Sequence, residues 1–300
     1  MQNEIELFLK LKTDNTRRAY LSIIHDFMRF VGKKSLTEIT HKDALRYLSA
    51  KEGAAGATIK HRYSVLRSLY EYFFDLGYVN KNPWRPVARA ISFRQSAQVR
   101  PTKVLTPCEV VRLLKSIDTS TKRGVQDLAI LSLLFGGGFR RSEILNMQIG
   151  DLQTTSDGIL FADLRKTKAG KRQMQPIAKF AWAAISKFIS QRKNDGAENE
   201  DPLVVFYYRD GRVRGKLDAR TFARRFKKLC KKIGVDAAPH AARATYATQL
   251  KRAGAEDRVV AEALRHSTEI MVRVYDKRAR GIEQPQVIGL NYADSQANKK

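Results

Sequence analysis

Hydrophobic residues in the first part of the chain recur every three or four positions. In NTRRAYLSIIHDFMRFVG this apolar stripe consists of Tyr20, Ile23 or Ile24, Phe27, and Phe30 or Val31. Residues three and four apart lie on the same face of a helix, and a glycine such as Gly32 often ends one. The segment ATIKHRYSVLRSLYEYFFDLG has the same spacing and closes on Gly77. Both segments therefore predict helices of a small bundle.

Helix-start signals occur at two further places. Thr40 in TEITHKDALRYLS is followed three residues later by Asp43, and Thr106 in TPCEVV is followed by Pro107 and Glu109. A threonine N-cap with a carboxylate three residues on satisfies backbone N–H groups in both directions, and proline suits the first helical position. The second signal predicts the start of a new domain.

A basic segment without an apolar period separates the two parts of the chain. Pro83 and Pro86 interrupt the helical pattern, and the polar segment ISFRQSAQVRPTK follows them. Such runs are typical of loops and linkers. We therefore predict a helical domain at residues 1–91, a linker at residues 92–103 and a second domain at residues 104–300.

The second domain combines several helical segments with one alternating segment. RGVQDLAILSLLFGGG predicts a buried helix stopped by three glycines, RRSEILNM predicts a short helix, and residues 178–192 return to helical spacing. In DARTFARRFKKLCKKIG the apolar stripe consists of Phe222, Phe226, Leu229 and Ile233. GILFADLRKTKAGKRQMQPI alternates and turns at Ala169 and Gly170, which predicts a β-hairpin with a basic tip. The predicted fold class is mainly α with a small antiparallel β-sheet.

Charge narrows the class of partner. The 300 residues include 56 Lys and Arg against 30 Asp and Glu, a formal charge of +26, which favours polyanions: nucleic acid first, acidic lipid second. The longest apolar stretch, LAILSLLF, is far shorter than the roughly 20 residues of a membrane-spanning helix. The first residues, MQNEIELFLK, carry acids where a signal peptide carries bases, so we expect a cytoplasmic protein. Cys108 and Cys230 are too few for a disulfide framework or zinc site.

Four short segments contain polar residues suited to phosphate chemistry. GGGFRRSEIL places Arg140 at a helix start with Glu143 close enough to orient it, and RKTKAGKR places Lys168 beside the hairpin turn. PHAARATYATQL sets His240 and Arg243 three apart, hence on one helical face. LRHSTEIMVRVY supplies His266 and Tyr275. Each residue alone has an ordinary interpretation as a surface charge or a core side chain. Only the combination of all of them in this order indicates a particular function.

In this combination and order the chain resembles the tyrosine recombinase (phage integrase) family, and in particular its compact Xer-like members. GFRRSEI is similar to the family's G-x-R-x-S-E box, KRQMQPI to the basic strand that follows its hairpin lysine, and HAAR to its H-x-x-R motif. LRHSTEIMVRVY is similar to the box in which a tyrosine follows a histidine by nine residues. The N-terminal segments also resemble the family's SAM-like core-binding domain, so the resemblance covers nearly the whole chain and implies a mixed α/β catalytic domain after it.

The resemblance implies a role for each residue. Arg140 and Arg243 would bind the nonbridging oxygens of a phosphodiester with planar, permanently charged guanidinium groups, and His266 would add a donor. Tyr275 would be the nucleophile that forms a 3′-phosphotyrosyl bond, with His240 as proton acceptor. Lys168 would protonate the leaving 5′ oxygen. These cations take the place of metal ions, so we expect neither a metal nor another cofactor.

The sequence departs from the family pattern at three positions. Arg265 stands where a glycine often permits the turn before the histidine, Arg141 occupies a position that is usually apolar, and Ala244 replaces a frequent second histidine. Lys166 lies two residues from Lys168 on the same predicted hairpin, so the choice of general acid between these lysines stays open. None of the departures removes a catalytic group.

The implied partner is double-stranded DNA with a specific recombination site. Its phosphates would meet a basic set that consists of Arg17, Arg18, Lys60, Arg62, Arg67, Arg220 and Arg224. The family acts as a tetramer on DNA, in some cases with a partner recombinase or a DNA-bending protein. EQPQVIGLNYA, residues 283–293, is a candidate segment for exchange between neighbours or for folding back on its own domain.

Two other functions share parts of this evidence. A type IB topoisomerase uses the same cutting and rejoining chemistry but relaxes supercoils without exchanging partners. A DNA-binding accessory protein could keep the fold without catalysis. The helical N-terminal domain and the candidate exchange segment favour a recombinase that integrates, excises or resolves DNA.

Overall fold

A computed structural model describes residues 2–51, 53–87, 102–164 and 172–265 of the chain. The chain divides into two compact units, one up to residue 101 and one from residue 102 onwards. This division falls inside the predicted linker, most of which lies outside the described residues, so its bounds stay a prediction. Within the described ranges, no helix is both long enough and apolar enough to cross a membrane.

The first unit is a bundle of helices. They are α1 (Gln2–Lys10), α2 (Asp14–Val31), α3 (His41–Ser49) and α4 (Gly56–Asp75), with a 3₁₀ turn at Leu36–Glu38. The predicted signals are confirmed. Gly32 ends α2 at φ 67°, and its N–H donates to the Met28 carbonyl. The Thr40 hydroxyl accepts from the Asp43 N–H while the Asp43 carboxylate accepts from the Thr40 N–H.

Aromatic rings fill the core of this bundle. Trp84 is fully buried and meets the rings of Phe27 and Tyr47 edge to face, at centroid distances of 5.3 Å and 6.3 Å. The Tyr47 hydroxyl donates to Asp26 at 2.8 Å, and burial raises the pKa of Tyr47 to about 12. Arg62 forms an ion pair with the same Asp26. This pair holds Arg62, a member of the basic set expected to contact DNA, partly buried against the core.

The second unit is built around one buried helix. Its helices are α5 (Pro107–Lys115), α6 (Lys122–Gly137), α7 (Arg141–Asn146), α8 (Trp182–Asn194), α9 (Ala219–Lys232), α10 (Pro239–Arg252) and α11 (Asp257–Ala263). The central helix α6 packs against α8 and α10. It runs through Gly136 and Gly137 and ends only at Gly138, which has a left-handed φ of 58°. The first two glycines therefore do not stop the helix.

Two small antiparallel sheets complete this unit. One has the order β1 (Leu152–Thr154), β2 (Leu160–Leu164), β3 (Gln173–Pro176), in which Ala162 pairs with Leu152 on one side and Gln175 on the other. The predicted pairing of the hairpin strands is confirmed, and its tip at residues 165–171 lies outside the described residues. The other sheet, β4 (Val205–Tyr207) with β5 (Val213–Lys216), was not predicted.

Replacing Gly138 by alanine should lower the free energy of unfolding by about 3 kcal/mol, because a positive φ costs roughly 1 kcal/mol for a residue with a Cβ and a forced overlap costs more. The added Cβ would lie 2.3 Å from Cδ1 of Tyr246. Gly158 is the matched control: its φ is 78° but its Cβ would meet no atom within 4 Å. Urea unfolding should therefore show about 1 kcal/mol for Gly158→Ala. Equal losses at the two positions would contradict the overlap.

Candidate active site

Arg140 lies at the start of α7, directly after the turn that ends α6. Its backbone N–H donates to Oε2 of Glu143 at 2.7 Å, and its Nη1 donates to Oε1 of the same carboxylate at 2.8 Å. The Glu143 side chain is 6% exposed, which strengthens this ion pair relative to one in water. The sequence spacing predicted this contact, and it fixes the guanidinium of Arg140 in direction.

Arg243 reaches the same region from α10. Pro239 occupies the first turn of this helix, so His240 and Arg243 lie on one face near its N-terminus. Arg243 is 2% exposed. Its Nη1 donates to the Gly138 carbonyl at 2.6 Å, and its Nη2 donates to the Leu264 carbonyl. The helix is thereby connected to the end of α6 and the end of α11.

The two arginines meet at one backbone oxygen. Nη2 of Arg140 donates to the Leu264 carbonyl at 3.3 Å and to the Arg265 carbonyl at 2.9 Å, and the Leu264 carbonyl also accepts from Arg243. The two guanidinium groups are 103 residues apart in sequence yet share this acceptor. Folding therefore places two permanent positive charges side by side, an arrangement in which both arginines can bind the same anion.

His240 completes the described part of the cluster. Partial removal from water is the largest cause that lowers its pKa below the ordinary 6.5, and the positive charges of Arg243 and Arg140 lower it further. The residue nevertheless keeps an exposed surface. A histidine of this kind is neutral at neutral pH and can accept a proton.

Three of the predicted catalytic residues fall on positions that the structure does not describe. These are Lys168, with its alternative Lys166, His266 and Tyr275. Their flanks are described. Strand β3 leads from the hairpin tip to the site, where the Gln173 amide donates to the Glu262 carbonyl at 3.3 Å and Gln175 accepts from Arg265. Arg265, whose carbonyl contacts Arg140, directly precedes His266 in the sequence.

Sequence reasoning missed two residues of this region as site residues. Arg265 is buried and donates to Glu143 at 2.7 Å. Tyr246 lies close to Gly138, and burial raises the pKa of its phenol although the charges of Arg265 and Arg243 lower it. The only signal for Arg265 was its position in place of a glycine. Tyr246 follows Arg243 by three residues, a helical spacing that could have indicated it.

The basic residues predicted on DNA differ in their exposure. Arg18, Lys60, Arg67, Arg220 and Arg224 have exposed side chains, and Arg17 is partly exposed beside the Leu9 carbonyl, to which it donates at 3.2 Å. Arg220 and Arg224 begin α9, one helical turn apart. Within residues 2–51, 53–87, 102–164 and 172–265, no group of three His, Cys, Asp or Glu side chains is arranged to hold a metal ion.

Family models match both units. A model described as the Phage integrase family matches residues 103–280, and one described as the Phage integrase N-terminal SAM-like domain matches residues 2–78. Among curated proteins, the chain is 27% identical over 272 residues to tyrosine recombinase XerC of Listeria monocytogenes serotype 4b, covering 87% of this chain and 86% of the relative. It is 29% identical over 281 residues to tyrosine recombinase XerA of Pyrococcus horikoshii, covering 91% and 87%.

Solved structures share the fold. The XerH site-specific recombinase bound to palindromic difH substrate in a post-cleavage complex superposes with a TM-score of 0.73 at 21% identity, covering 91% of this chain and 79% of that one. The Tn1549 transposon integrase in complex with circular intermediate DNA gives a TM-score of 0.67 at 21% identity, covering 88% and 90%.

Proposed function

Because this chain belongs to the phage integrase family, we propose that it is a site-specific tyrosine recombinase, an enzyme that cuts and rejoins DNA strands through a covalent tyrosine intermediate. The observation that carries the proposal is the shared acceptor of Arg140 and Arg243, the Leu264 carbonyl. Two guanidinium groups so close to one another repel unless anionic oxygens lie between or beside them. The nonbridging oxygens of a phosphodiester are such a ligand, and they gain charge as the phosphorus becomes pentacoordinate.

Each bond change in the proposed reaction has a residue assigned to it. The phenol oxygen of Tyr275 attacks phosphorus and forms the P–O bond of a 3′-phosphotyrosine, and His240, held neutral by its surroundings, takes the phenolic proton. The bond to the 5′ oxygen breaks, and Lys168, or Lys166 in its place, protonates that oxygen. Attack by a 5′ hydroxyl of another strand reverses the steps, so rejoining needs no external energy source.

DNA is the proposed substrate, and its phosphates supply the binding energy. The exposed basic residues of the first unit, without the paired Arg62, and those near the start of α9 would contact the backbone. A tetramer on a specific recombination site, with any accessory protein, is also part of the proposal. The predicted cytoplasmic location fits an enzyme that acts on DNA.

Replacing both Arg220 and Arg224 by alanine should weaken DNA binding and reduce its dependence on salt. Each lost phosphate contact should lower the slope of log K against log salt concentration by about 0.9 on duplex DNA, so the pair should lower it by about 1.8. Titrations across a salt series measure this slope. Arg62→Met is the comparison, and should leave the slope unchanged because Asp26 already neutralises Arg62. An unchanged slope in the Arg220→Ala/Arg224→Ala protein would remove α9 from the interface.

A nicked suicide duplex tests the function itself. Cleavage releases a short strand that diffuses away, so the wild-type protein should accumulate as a covalent protein–DNA adduct that survives denaturing electrophoresis. Sequencing the trapped ends identifies the site. Exchange of strands between two DNA molecules that both carry this site supports the recombinase. Relaxation of plasmids whether or not they carry the site supports a topoisomerase. DNA binding without any adduct supports an accessory protein.

The pH dependence of cleavage should follow His240. Its pKa lies below 6.5, so the imidazole is neutral and competent at pH 7, and the cleavage rate should fall only as the pH drops through that lowered pKa. Adduct formation measured from pH 5 to pH 8 gives the profile. In His240→Asn most of the rate should be lost, and the remaining rate should no longer fall at low pH. If the rate of the variant still falls over the same pH range, a group other than His240 causes that fall.

A further inference from the structure

Arg265 has a backbone conformation that a side chain normally avoids. Its φ is 54°, and among the described residues it is the one non-glycine with a positive φ. The left-handed region brings Cβ close to the backbone and costs free energy for every residue except glycine. The contacts that Arg265 makes in this conformation must offset that cost.

Those contacts converge on the candidate active site. The Arg265 side chain is 2% exposed, and its Nη2 donates to Oε2 of Glu143 at 2.7 Å and to the Gly138 carbonyl at 3.2 Å. Its Nη1 donates to the Ala263 carbonyl at 3.1 Å and to the Gln175 side chain. Buried at this depth, the guanidinium could influence a substrate only through other residues.

Glu143 is shared by two arginines. Its carboxylate accepts from Arg140 on Oε1 and from Arg265 on Oε2, while the Arg265 carbonyl accepts directly from Nη2 of Arg140. One negative charge thus faces two positive charges, and a net charge of about +1 remains at the pair. With Arg265 removed, the carboxylate would neutralise Arg140 alone, and a buried ion pair would then face the phosphate in place of a cation.

We propose that Arg265 is a positioning residue for strand cleavage: it balances the charge of Glu143, so that Arg140 keeps its positive charge for the phosphate, and its carbonyl fixes the direction of the Arg140 guanidinium. This role rests on the proposed function, because it acts through Arg140. The alternative is that Arg265 only completes the turn after α11. The two roles differ in what glycine would do, since glycine adopts φ 54° without strain.

Arg265→Gly is therefore the decisive variant. As a turn residue, glycine should give the wild-type rate or better. As the loss of a positioning residue, it should lower the rate of adduct formation on the suicide duplex by about 100-fold, the scale of a misplaced catalytic group. Affinity for the uncleaved site should change by less than about threefold, because phosphate contacts spread over the whole interface set that affinity.

The double variant Glu143→Gln/Arg265→Gly separates charge from packing. Without the carboxylate, Arg140 regains its net charge, so the double variant should cleave about tenfold faster than Arg265→Gly, in which the remaining Glu143 carboxylate cancels the charge of Arg140. Guanidinium ion at non-denaturing concentration should also restore part of the rate of Arg265→Gly. Circular dichroism and thermal unfolding of each variant show whether it is folded, so that cleavage rates are compared only between folded proteins.

The outcomes are distinct. A wild-type rate in Arg265→Gly, or a double variant no faster than the single one, would overturn the role of Arg265 while leaving the recombinase intact. If Arg265→Gly does not fold, Arg265→Gln decides, because it removes the charge that balances Glu143 but keeps a side-chain donor: a rate about tenfold lower is expected, and an unchanged rate overturns the role. Failure of the wild type to form any adduct would instead overturn the proposed function, and this role with it.

Discussion

Replacing Arg243 by alanine should reduce the rate of covalent adduct formation by about 1,000-fold, the upper range for removing one donor that stabilises charge in a transition state. The same change should lower the free energy of unfolding by about 2–4 kcal/mol, because the Gly138 and Leu264 carbonyls each lose a buried donor at roughly 1–2 kcal/mol apiece. Single-turnover cleavage on the suicide duplex and urea unfolding measure the two losses separately.

A control on the same helix makes the comparison specific. Arg252 lies in the last turn of α10 with an exposed side chain. Arg252→Ala should retain cleavage and change the stability by no more than about 0.5 kcal/mol, as surface substitutions usually do. Arg243→Lys keeps a charge but lacks the planar guanidinium whose two nitrogens contact the two carbonyls, so it should recover little of the rate. Cleavage at the wild-type rate in Arg243→Ala would remove this residue from the site.

Replacing Tyr275 by phenylalanine should eliminate the adduct entirely, because phenylalanine lacks the oxygen that forms the bond to phosphorus. Binding of the uncleaved site should persist, since the phosphate-contacting cations are unchanged. The measurement is denaturing electrophoresis after incubation with the suicide duplex, with a gel-shift assay on the same samples. Tyr275 lies outside the described residues, and its role is proposed from the motif that contains it.

Tyr246→Phe is the matched control, because the structure places this second phenol beside the same arginines. Burial raises the pKa of Tyr246, which disfavours its phenolate. The Tyr246→Phe protein should therefore still form the adduct. If it fails to do so while Tyr275→Phe succeeds, Tyr246 is the nucleophile.

The sequence predicted features that depend on neighbours along the chain. The capping pairs at Thr40 and Thr106, the end of α2 at Gly32 and the pairing of β2 with β3 are confirmed, because each depends on residues a few positions apart. The hairpin of β4 and β5 was missed, although the Asp210–Gly211 pair after the apolar segment LVVFYY is a turn signal that could have revealed it. The surrounding arginines obscured the alternation there.

Contacts between distant parts of the chain were beyond such reasoning. Arg62 has the same spacing as exposed basic residues of its helix, and only the position of Asp26 on another helix shows that it is paired. Arg265 and Glu143 are 122 residues apart, so no local pattern connects them. The family motifs nevertheless selected Arg140, His240 and Arg243, which the fold brings together, because the motifs record a spatial cluster that periodicity cannot express.

The peptide group between Leu264 and Arg265 makes the two arginines thermodynamically coupled. The oxygen of this peptide accepts a hydrogen bond from each arginine. A displacement of the peptide would therefore shift both guanidinium groups together. Substitutions at Arg140 and Arg243 would consequently be non-additive in activation free energy, the second costing less once the first has disrupted the shared anchor. An enzyme that must not cut DNA before its site is complete gains from such cooperativity, since a half-ordered pair of arginines would stabilise little of the transition state.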